Sequence, residues 1–289
     1  MEHSLCHHKD RDDLLRIMQS SLTRRKLLLL HNAIKIELEN IYPTTKLHLY
    51  SCTVNGATYW FIYKVNKHSS NHIYLIYDGV FDSDSFTNAF SLFTETADPF
   101  ATTPLVVGEQ ILIDQVENFV TAHLPHLSGP KNPTHCFFMT DTQMKMVEKM
   151  ELPSLPEGYY IGSLHPEESK FITSYWKHAK EGDDEETRAK LTVFPSSCIR
   201  FDGQPVAFEM ISQSGQLTHL YVLKKHRRKG LGKIVELDLC QKMIRRGMKV
   251  IKCVELSNAP LLESTCRMSC WSLLRLDDGS PLVNVYYEL

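Results

Sequence analysis

The sequence lacks the patterns that mark membrane proteins and nucleic-acid-binding proteins. No run of eighteen apolar residues occurs in its 289 residues, so no segment is expected to span a membrane. The net charge is only −2, which excludes the broad basic surface that nucleic acids and anionic membranes attract. A signal-peptide core is missing too, and Asp10, Asp12 and Asp13 argue against an acid-poor transit peptide. We therefore expect a globular protein with small-molecule partners.

Metal-binding and disulfide motifs are also missing. The eight cysteines are scattered without a CxxC pair, and the fourteen histidines form neither HExxH nor a paired Cys/His spacing. Several cysteines stand at apolar strand or helix positions, which favours reduced thiols in a core over a disulfide framework. We expect a reducing compartment and no metal.

The nucleotide-binding signatures GxxxxGK[ST] and GxGxxG are absent, yet residues 216–258 hold a related arrangement. Residues 217–233 read LTHLYVLKKHRRKGLGK, in which a half-buried strand is followed by a basic turn with two glycines. An apolar stripe then predicts a helix that ends at Gly247, and residues 249–256 predict another strand. The pattern is a strand–helix–strand unit with a glycine-rich turn at the start of its helix.

This turn is suited to bind an anion. Gly230 and Gly232 carry no Cβ that would keep a ligand from the backbone, and the first N–H groups of the helix are free to bind it. The helix dipole favours negative charge at this end, and basic side chains surround it. We expect a pyrophosphate there.

The strand order around the turn resembles the GNAT acyltransferase superfamily. Residues 198–201, 205–212 and 216–223 predict three strands, joined by the hairpin turns Asp202-Gly203 and Ser214-Gly215. With the spacing Arg-x-x-Gly-x-Gly, this meander is similar to the acyl-CoA-binding part of that superfamily. The resemblance implies that the turn amides hold the CoA pyrophosphate. The CoA-binding residues that it implies are Tyr221, Val222, Leu223, Arg227, Arg228, Lys229, Gly230, Leu231, Gly232, Lys233 and Asn258.

The length suits two domains, and the loop sequence LPSLP at residues 152–156 marks a boundary near residue 150. We predict an N-terminal α/β domain at residues 1–150 and a C-terminal GNAT domain at residues 151–289. The fold class is α/β (α+β): a mixed, mostly antiparallel GNAT-type sheet flanked by helices, with a second GNAT-like half. Helices are predicted at residues 83–95, 108–123 and 166–180, and an acidic, solvated loop at residues 181–186.

Several further segments resemble one GNAT family, the glycine N-acyltransferases. The likeness is specific for residues 155–270 and loose elsewhere. It implies transfer of an acyl group from the co-substrate acyl-CoA to the amino group of glycine or a similar small amino acid. It also implies a mitochondrial location, with the cytosol as the alternative, and we expect a monomer. The segments are FITSYW at 171–176, VFPSSC at 193–198, GQPV at 203–206, Ser214-Gly215 and Ser257-Asn258.

The chain departs from this family at the base that must deprotonate the attacking amine. The glutamate proposed as base in the family corresponds to Gln216, and glutamine can orient an amine but cannot take its proton. His219 or a water chain is one alternative, and Glu209 on the neighbouring strand is another. A third alternative is a slow enzyme in which positioning supplies most of the rate.

The family's tyrosine near the departing sulfur corresponds to Cys266, which is either a proton donor or a structural thiol. Asn258 either reaches the thioester or only caps the following helix. Arg200 is a candidate partner for glycine's carboxylate. Two other functions stay open: an N-acetyltransferase acting on a protein or polyamine amine, and an acyl-CoA-binding pseudoenzyme.

Overall fold

The computed structural model describes residues 4–289, and one sheet runs through both predicted halves of the chain. Residues 1–3, where the predicted first domain begins, lie outside the described residues. The elements up to residue 150 are β1 Cys6–His8, α1 Arg11–Ser21, α2 Leu28–Leu38, β2 Thr45–Val54, β3 Ala57–Asn66, β4 His72–Asp78, α3 Ser83–Ala97, β5 Leu105–Glu109, α4 Gln110–His123, β6 Lys131–Phe138 and α5 Asp141–Lys149. The later elements are β7 Tyr159–Gly162, α6 Ser169–Thr173, α7 Asp183–Val193, β8 Ser197–Phe201, β9 Gln204–Ile211, β10 Leu217–Val222, α8 Leu231–Arg245, β11 Ile251–Glu255, α9 Ala259–Cys266, β12 Ser272–Leu273 and β13 Val283–Glu288.

The strands lie in the order β1-β2-β3-β4-β5-β13-β6-β11-β10-β9-β8-β7, with β12 beside β6. Among these described strands, β4 with β5 and β10 with β11 are the parallel neighbours, and the other pairs are antiparallel. The predicted mixed, mostly antiparallel sheet flanked by helices is therefore confirmed. No helix within residues 4–289 is both long enough and apolar enough to cross a membrane.

The two halves exchange strands at the centre of the sheet. The last strand, β13, lies between β5 and β6 of the first half, and β6 pairs on its other edge with β11 of the second half. The cores are shared as well, because Ile36 and Tyr42 pack in one cluster with Leu237 and Met243 of α8. The proposed boundary near residue 150 stays a prediction, since each half depends on strands from the other.

Three predicted elements differ from the structure. The helix predicted at residues 166–180 ends at Thr173, and residues 181–186 begin helix α7 instead of forming a loop. Gly182 ends the loop at φ +88°, and the four acidic residues after it occupy the first turn, where the helix dipole stabilises negative charge. The helix predicted at residues 108–123 starts at Gln110, because Leu105–Glu109 is the buried strand β5.

Candidate active site

A large cavity opens where β10 and β11 separate. The two parallel strands pair at Leu217 and Lys252 and then diverge, so their backbones leave a gap in the sheet. The cavity has a volume of about 1130 Å³. This exceeds the roughly 300–1,000 Å³ of drug-sized ligand sites, and it suits a molecule as long as a CoA ester.

The N-terminus of α8 forms one wall of this cavity. Gly230 is the N-cap at φ +76°, and no side chain within residues 4–289 caps this end. A Cβ at Gly230 would meet no atom of the described chain within 4 Å, and the first N–H groups of a helix have no partner within the helix itself. The position also requires glycine, because other residues are strained at this φ. The structure thus places an uncapped, positive helix end at the cavity, as the sequence predicted.

The residues predicted to act at this site mostly line the cavity. Leu223, Lys229 and Cys266 lie outside its wall. Leu223 packs into the apolar cluster under α8, Lys229 lies 5.2 Å from the ring centre of Tyr159, and Cys266 is exposed at the end of α9. Those that line the cavity are Glu209, Gln216, His219, Tyr221, Val222, Arg227, Arg228, Gly230, Leu231, Gly232, Lys233 and Asn258.

Two of the lining residues also have structural partners. Arg227 Nε donates to the carbonyl of Val222 at 2.9 Å, which holds the basic turn against the end of β10. Asn258 Oδ1 accepts from the N–H of Leu261 at 3.4 Å, so it caps α9 as one of its two predicted roles requires. Arg228 and Lys233 of the same turn also line the cavity.

A β-bulge places His219 in the cavity wall. Thr218 pairs with Met210 and Tyr221 with Phe208, so two residues of β10 lie opposite the single residue Glu209. His219 takes φ +62°, and its ring centre lies 4.6 Å from that of Trp176. Its buried Nε2 has no hydrogen-bond partner in the described part of the chain. Burial, with Lys190 and His178 nearby, lowers the pKa of His219 to about 3, so the imidazole is neutral at physiological pH.

Glu209 lies on the α8 side of the sheet within a buried charged group. Lys252 Nζ is 2.5 Å from Glu236 Oε2, and the Trp271 indole donates to Glu236 Oε1 at 2.8 Å. Burial and the neighbouring Glu236 carboxylate raise the pKa of Glu209 well above its usual range, and Lys252 opposes this shift. The side chain faces the cavity, as a base would need. The raised pKa, however, favours the protonated carboxyl, which donates a proton rather than accepting one.

Gln216 is oriented by residues from the first half of the fold and from β13. The hydroxyl of Tyr286 donates to Gln216 Oε1 at 3.1 Å, which leaves the amide N–H groups for another partner. The turn before Gln216 is held by Asn32, whose Nδ2 donates to Gly215 O at 2.8 Å, and by Lys64, whose Nζ donates to Gln213 O at 2.7 Å. Burial lowers the pKa of Lys64 to about 8.

The structure corrects the predicted carboxylate partner. Arg200 does not line the cavity, because its guanidinium forms two bonds with Glu168, at 2.6 and 2.8 Å. A cation that the sequence did not single out, Lys190 of α7, does line it and is 5% exposed. Its partner Glu186 is 3.4 Å away. The sequence predicts a loop at residues 181–186 and therefore offers no reason to place Lys190 on a helix that faces the cavity.

No cluster of three or more His, Cys, Asp and Glu side chains within residues 4–289 has a metal-binding arrangement. Within the described residues, the site combines an uncapped helix N-terminus, a neutral histidine, a glutamate with a raised pKa and a buried lysine around one cavity.

Comparisons with known proteins agree with this architecture. Residues 203–263 match the model of the family described as FR47-like protein. A Drosophila protein of solved structure aligns with a TM-score of 0.72 and 14% identity, over 100% of this chain and 99% of that one. The tandem GNAT protein from the clavulanic acid biosynthesis pathway aligns with a TM-score of 0.52 and 12% identity, over 99% and 98%. At such identities the likeness establishes the fold, which is a tandem GNAT fold.

Proposed function

From the tandem GNAT acetyltransferase fold of this chain, we propose that the protein is an acyl-CoA-dependent N-acyltransferase. The observation that carries the proposal is the uncapped N-terminus of α8 beside the gap between β10 and β11. The helix end would bind the pyrophosphate, and the gap would take the pantetheine arm with its acyl group. Acyl-CoA supplies the thioester, and the residues of the chain supply binding, orientation and proton transfer.

We assign the proton transfers to two different side chains. His219 is neutral and its Nε2 has no hydrogen-bond partner within residues 4–289, so it is placed to take the proton that the amine loses as it attacks, although its low pKa makes it a weak base. Glu209 has a raised pKa and lies opposite the same bulge, so we assign to it the proton that the departing CoA thiolate takes up. Gln216 is the hydrogen-bond donor that orients the reacting group, with Tyr286 as its positioning residue.

The acceptor that we propose is glycine or a similar small amino acid. Its carboxylate needs a cation, and Lys190 is a buried cation in the cavity wall near His219. The substitution Lys190→Met should raise the KM for glycine at least tenfold with little change in the KM for acyl-CoA, and Lys190→Arg should restore part of the affinity.

A cationic acceptor is the second candidate, because carboxylates also stand in the wall. Asp183, Glu186, Glu255 and Glu288 line the cavity and would attract a polyamine or a lysine side chain. Lys190 distinguishes the two candidates, since it would repel such an amine.

The test is mass-spectrometric detection of the N-acyl product from benzoyl-CoA, acetyl-CoA and a long-chain acyl-CoA. Each ester is offered with glycine, with spermidine and with a lysine peptide, to wild type and to Gln216→Glu. N-acylglycine from wild type would establish the proposed acceptor, and faster formation by Gln216→Glu would identify residue 216 as a lost base position. Product with spermidine or the peptide alone would favour the second candidate. CoA binding without any product would indicate a binding protein.

A further inference from the structure

Two cysteines from different halves of the chain face each other beneath the cavity. Cys136 on β6 is the direct partner of Cys253 on β11, and their Sγ atoms are 2.9 Å apart. They are separated by 117 positions along the chain. Neither residue belongs to a sequence motif, so their approach follows from the exchange of strands between the halves.

The register of the ladder places the two cysteines at a site suited to a disulfide. The N–H of Met139 donates to Val250 O at 3.0 Å, and the N–H of Leu256 donates to Pro133 O at 2.9 Å. Because hydrogen-bonded pairs alternate along an antiparallel ladder, Cys136 and Cys253 form a non-hydrogen-bonded pair. The Cα atoms of such pairs are about 4.5 Å apart, within the roughly 4.4–6.8 Å that disulfides span.

A small reagent can reach the pair through the cavity. Cys253 is half-buried and lines the cavity, whereas Cys136 is buried behind it. The contact with the Cys136 thiol lowers the pKa of Cys253, and burial opposes this shift. The bond with Cys253 and burial raise the pKa of Cys136 well above its usual range. The member that lines the cavity is thus the better nucleophile, and the member behind it keeps its proton.

We propose that Cys136 and Cys253 are a redox modification site, at which a hydroperoxide converts the two thiols into a cross-strand disulfide. The Cys253 thiolate attacks the O–O bond, takes one oxygen as a sulfenic acid and releases water or an alcohol. The Cys136 sulfur then attacks the Cys253 sulfur, forms the S–S bond and expels water. The two thiols lose two protons and two electrons in total, and the hydroperoxide is reduced.

The disulfide would change the cavity wall as well as join the two halves. Tyr286 holds Gln216 and lies close to Cys253, so a disulfide at Cys253 would change the surroundings of both side chains. A thiol reductant would reverse the change.

The test treats the native protein with hydrogen peroxide, alkylates the remaining thiols after denaturation and maps the peptides without reduction. The expected product is a peptide pair joined through Cys136 and Cys253, about 2 Da lighter than its reduced parts and released by dithiothreitol. Cys198→Ala, which removes a buried cysteine elsewhere in the sheet, should give the same cross-link. Cys136→Ala should instead leave a sulfenic acid at Cys253 that dimedone traps.

Full alkylation of Cys136 and Cys253 after peroxide treatment, at a dose that oxidises the exposed Cys6 and Cys266, would overturn the proposal. A cross-link from Cys253 to any other cysteine would overturn it too. Because the result is a covalent bond measured in wild type, it stands or fails independently of the acyltransferase activity and of any variant's folding.

Discussion

His219 is the side chain whose surroundings depart most from those of an ordinary strand residue. It adopts a left-handed conformation at φ +62°, and its buried Nε2 lacks a hydrogen-bond partner in residues 4–289. A non-glycine residue in this conformation and a buried polar atom without a partner each cost free energy. Both costs fall on a residue that lines the cavity, which is why we assign it a chemical role.

The variant His219→Asn tests that role with little change to the backbone, because asparagine tolerates a positive φ better than most residues. We expect kcat to fall about 10²–10⁴-fold through loss of the base, while the affinity for acyl-CoA stays the same. Product formation and calorimetric CoA binding measure the two effects. An unchanged kcat would assign deprotonation to water or to positioning alone.

Buried neutral histidines make the stability of the fold depend on pH. Burial lowers the pKa of His72 to about 4 and that of His219 to about 3, whereas both take up a proton near pH 6.5 in the unfolded chain. Below pH 6.5 the unfolded state binds more protons, so the free energy of unfolding falls as the pH falls toward 4. The slope is about 1.4 kcal/mol per pH unit for each fully titrating group.

Urea unfolding between pH 4 and pH 8 measures this slope. We expect His72→Gln to lose less stability than wild type on going from pH 6.5 to pH 4, because one histidine with a lowered pKa is gone. The charged groups that act on His72 are Glu186, Lys190, Lys64 and Lys180, and the substitution leaves them in place. If the free energy of unfolding depends on pH in the same way in wild type and in His72→Gln, His72 is not held neutral in the folded protein.

Only part of this site could be predicted from the sequence. The glycines of the basic turn could be predicted because their use is local, in a helix start with no Cβ. Lys190, Tyr286 and Cys253 could not, because each reaches the cavity through a contact between distant segments. Glu209 is a candidate from the sequence alone. Its raised pKa, however, results from burial and from Glu236, and the sequence reveals neither.

Helices α7 and α8 of the second half both begin at a glycine with a positive φ. A comparison of the two therefore separates the effect of this glycine on anion binding from its effect on stability. Gly182 caps α7 at φ +88° and Gly230 caps α8 at φ +76°, and a Cβ at either would have open space within the described structure. Acidic side chains fill the first turn of α7, whereas α8 has none there within the described chain. We therefore expect an anion at α8 and not at α7.

The matched variants Gly182→Ala and Gly230→Ala test this difference. Each should lose about 1–2 kcal/mol of stability, because alanine is strained at a positive φ. Gly230→Ala should also weaken binding of a CoA ester about tenfold or more, and Gly182→Ala should not. Equal affinities in isothermal titrations would remove α8 from the binding site.

At the level of elements, local signals predicted most of the second half. The turn Asp202-Gly203 has the positive φ values that tight hairpins require, and the strands on either side of it are predicted from the sequence. The errors lie at residues 166–186, where the boundary between a short helix and α7 depends on Gly182. Glycine ends one helix or starts another with equal ease, so the sequence alone did not decide it.

At the scale of the whole molecule, the two halves share a fold but not a binding site. In the first half, β4 and β5 pair from His72 to Leu75, so no gap opens between them. The turn before α3 is capped by Asp82, whose carboxylate accepts from the N–H of Ser85 at 2.8 Å. A carboxylate at this helix end would repel the anion that we propose at Gly230 in the second half. We expect one CoA ester per chain.

The exchanged strands predict that neither half folds alone. A fragment of residues 151–289 lacks β6, which β11 needs, and lacks β5, which β13 needs. Circular dichroism of the separate fragments 1–150 and 151–289 should show little cooperative unfolding, and co-expression should restore a complex that binds CoA. A fragment 151–289 that folds and binds CoA by itself would contradict the shared sheet and support the independent domain predicted from the sequence.

Strand exchange is the feature of the whole molecule that the sequence could not show. The order of elements predicts two GNAT-like halves, and the last strand, β13, runs from Val283 to Glu288. Which neighbours that strand takes depends on the entire sheet, since an antiparallel edge accepts a partner from any part of the chain.

The most direct test of the account is a crystal structure of the protein with a non-hydrolysable acyl-CoA analogue. We predict one analogue per chain, with pyrophosphate oxygens about 2.7–3.2 Å from backbone nitrogens at the start of α8. Its acyl group should enter the gap between β10 and β11 beside His219. A pyrophosphate bound at the turn before α3, or at any place away from the N-terminus of α8, would contradict the account.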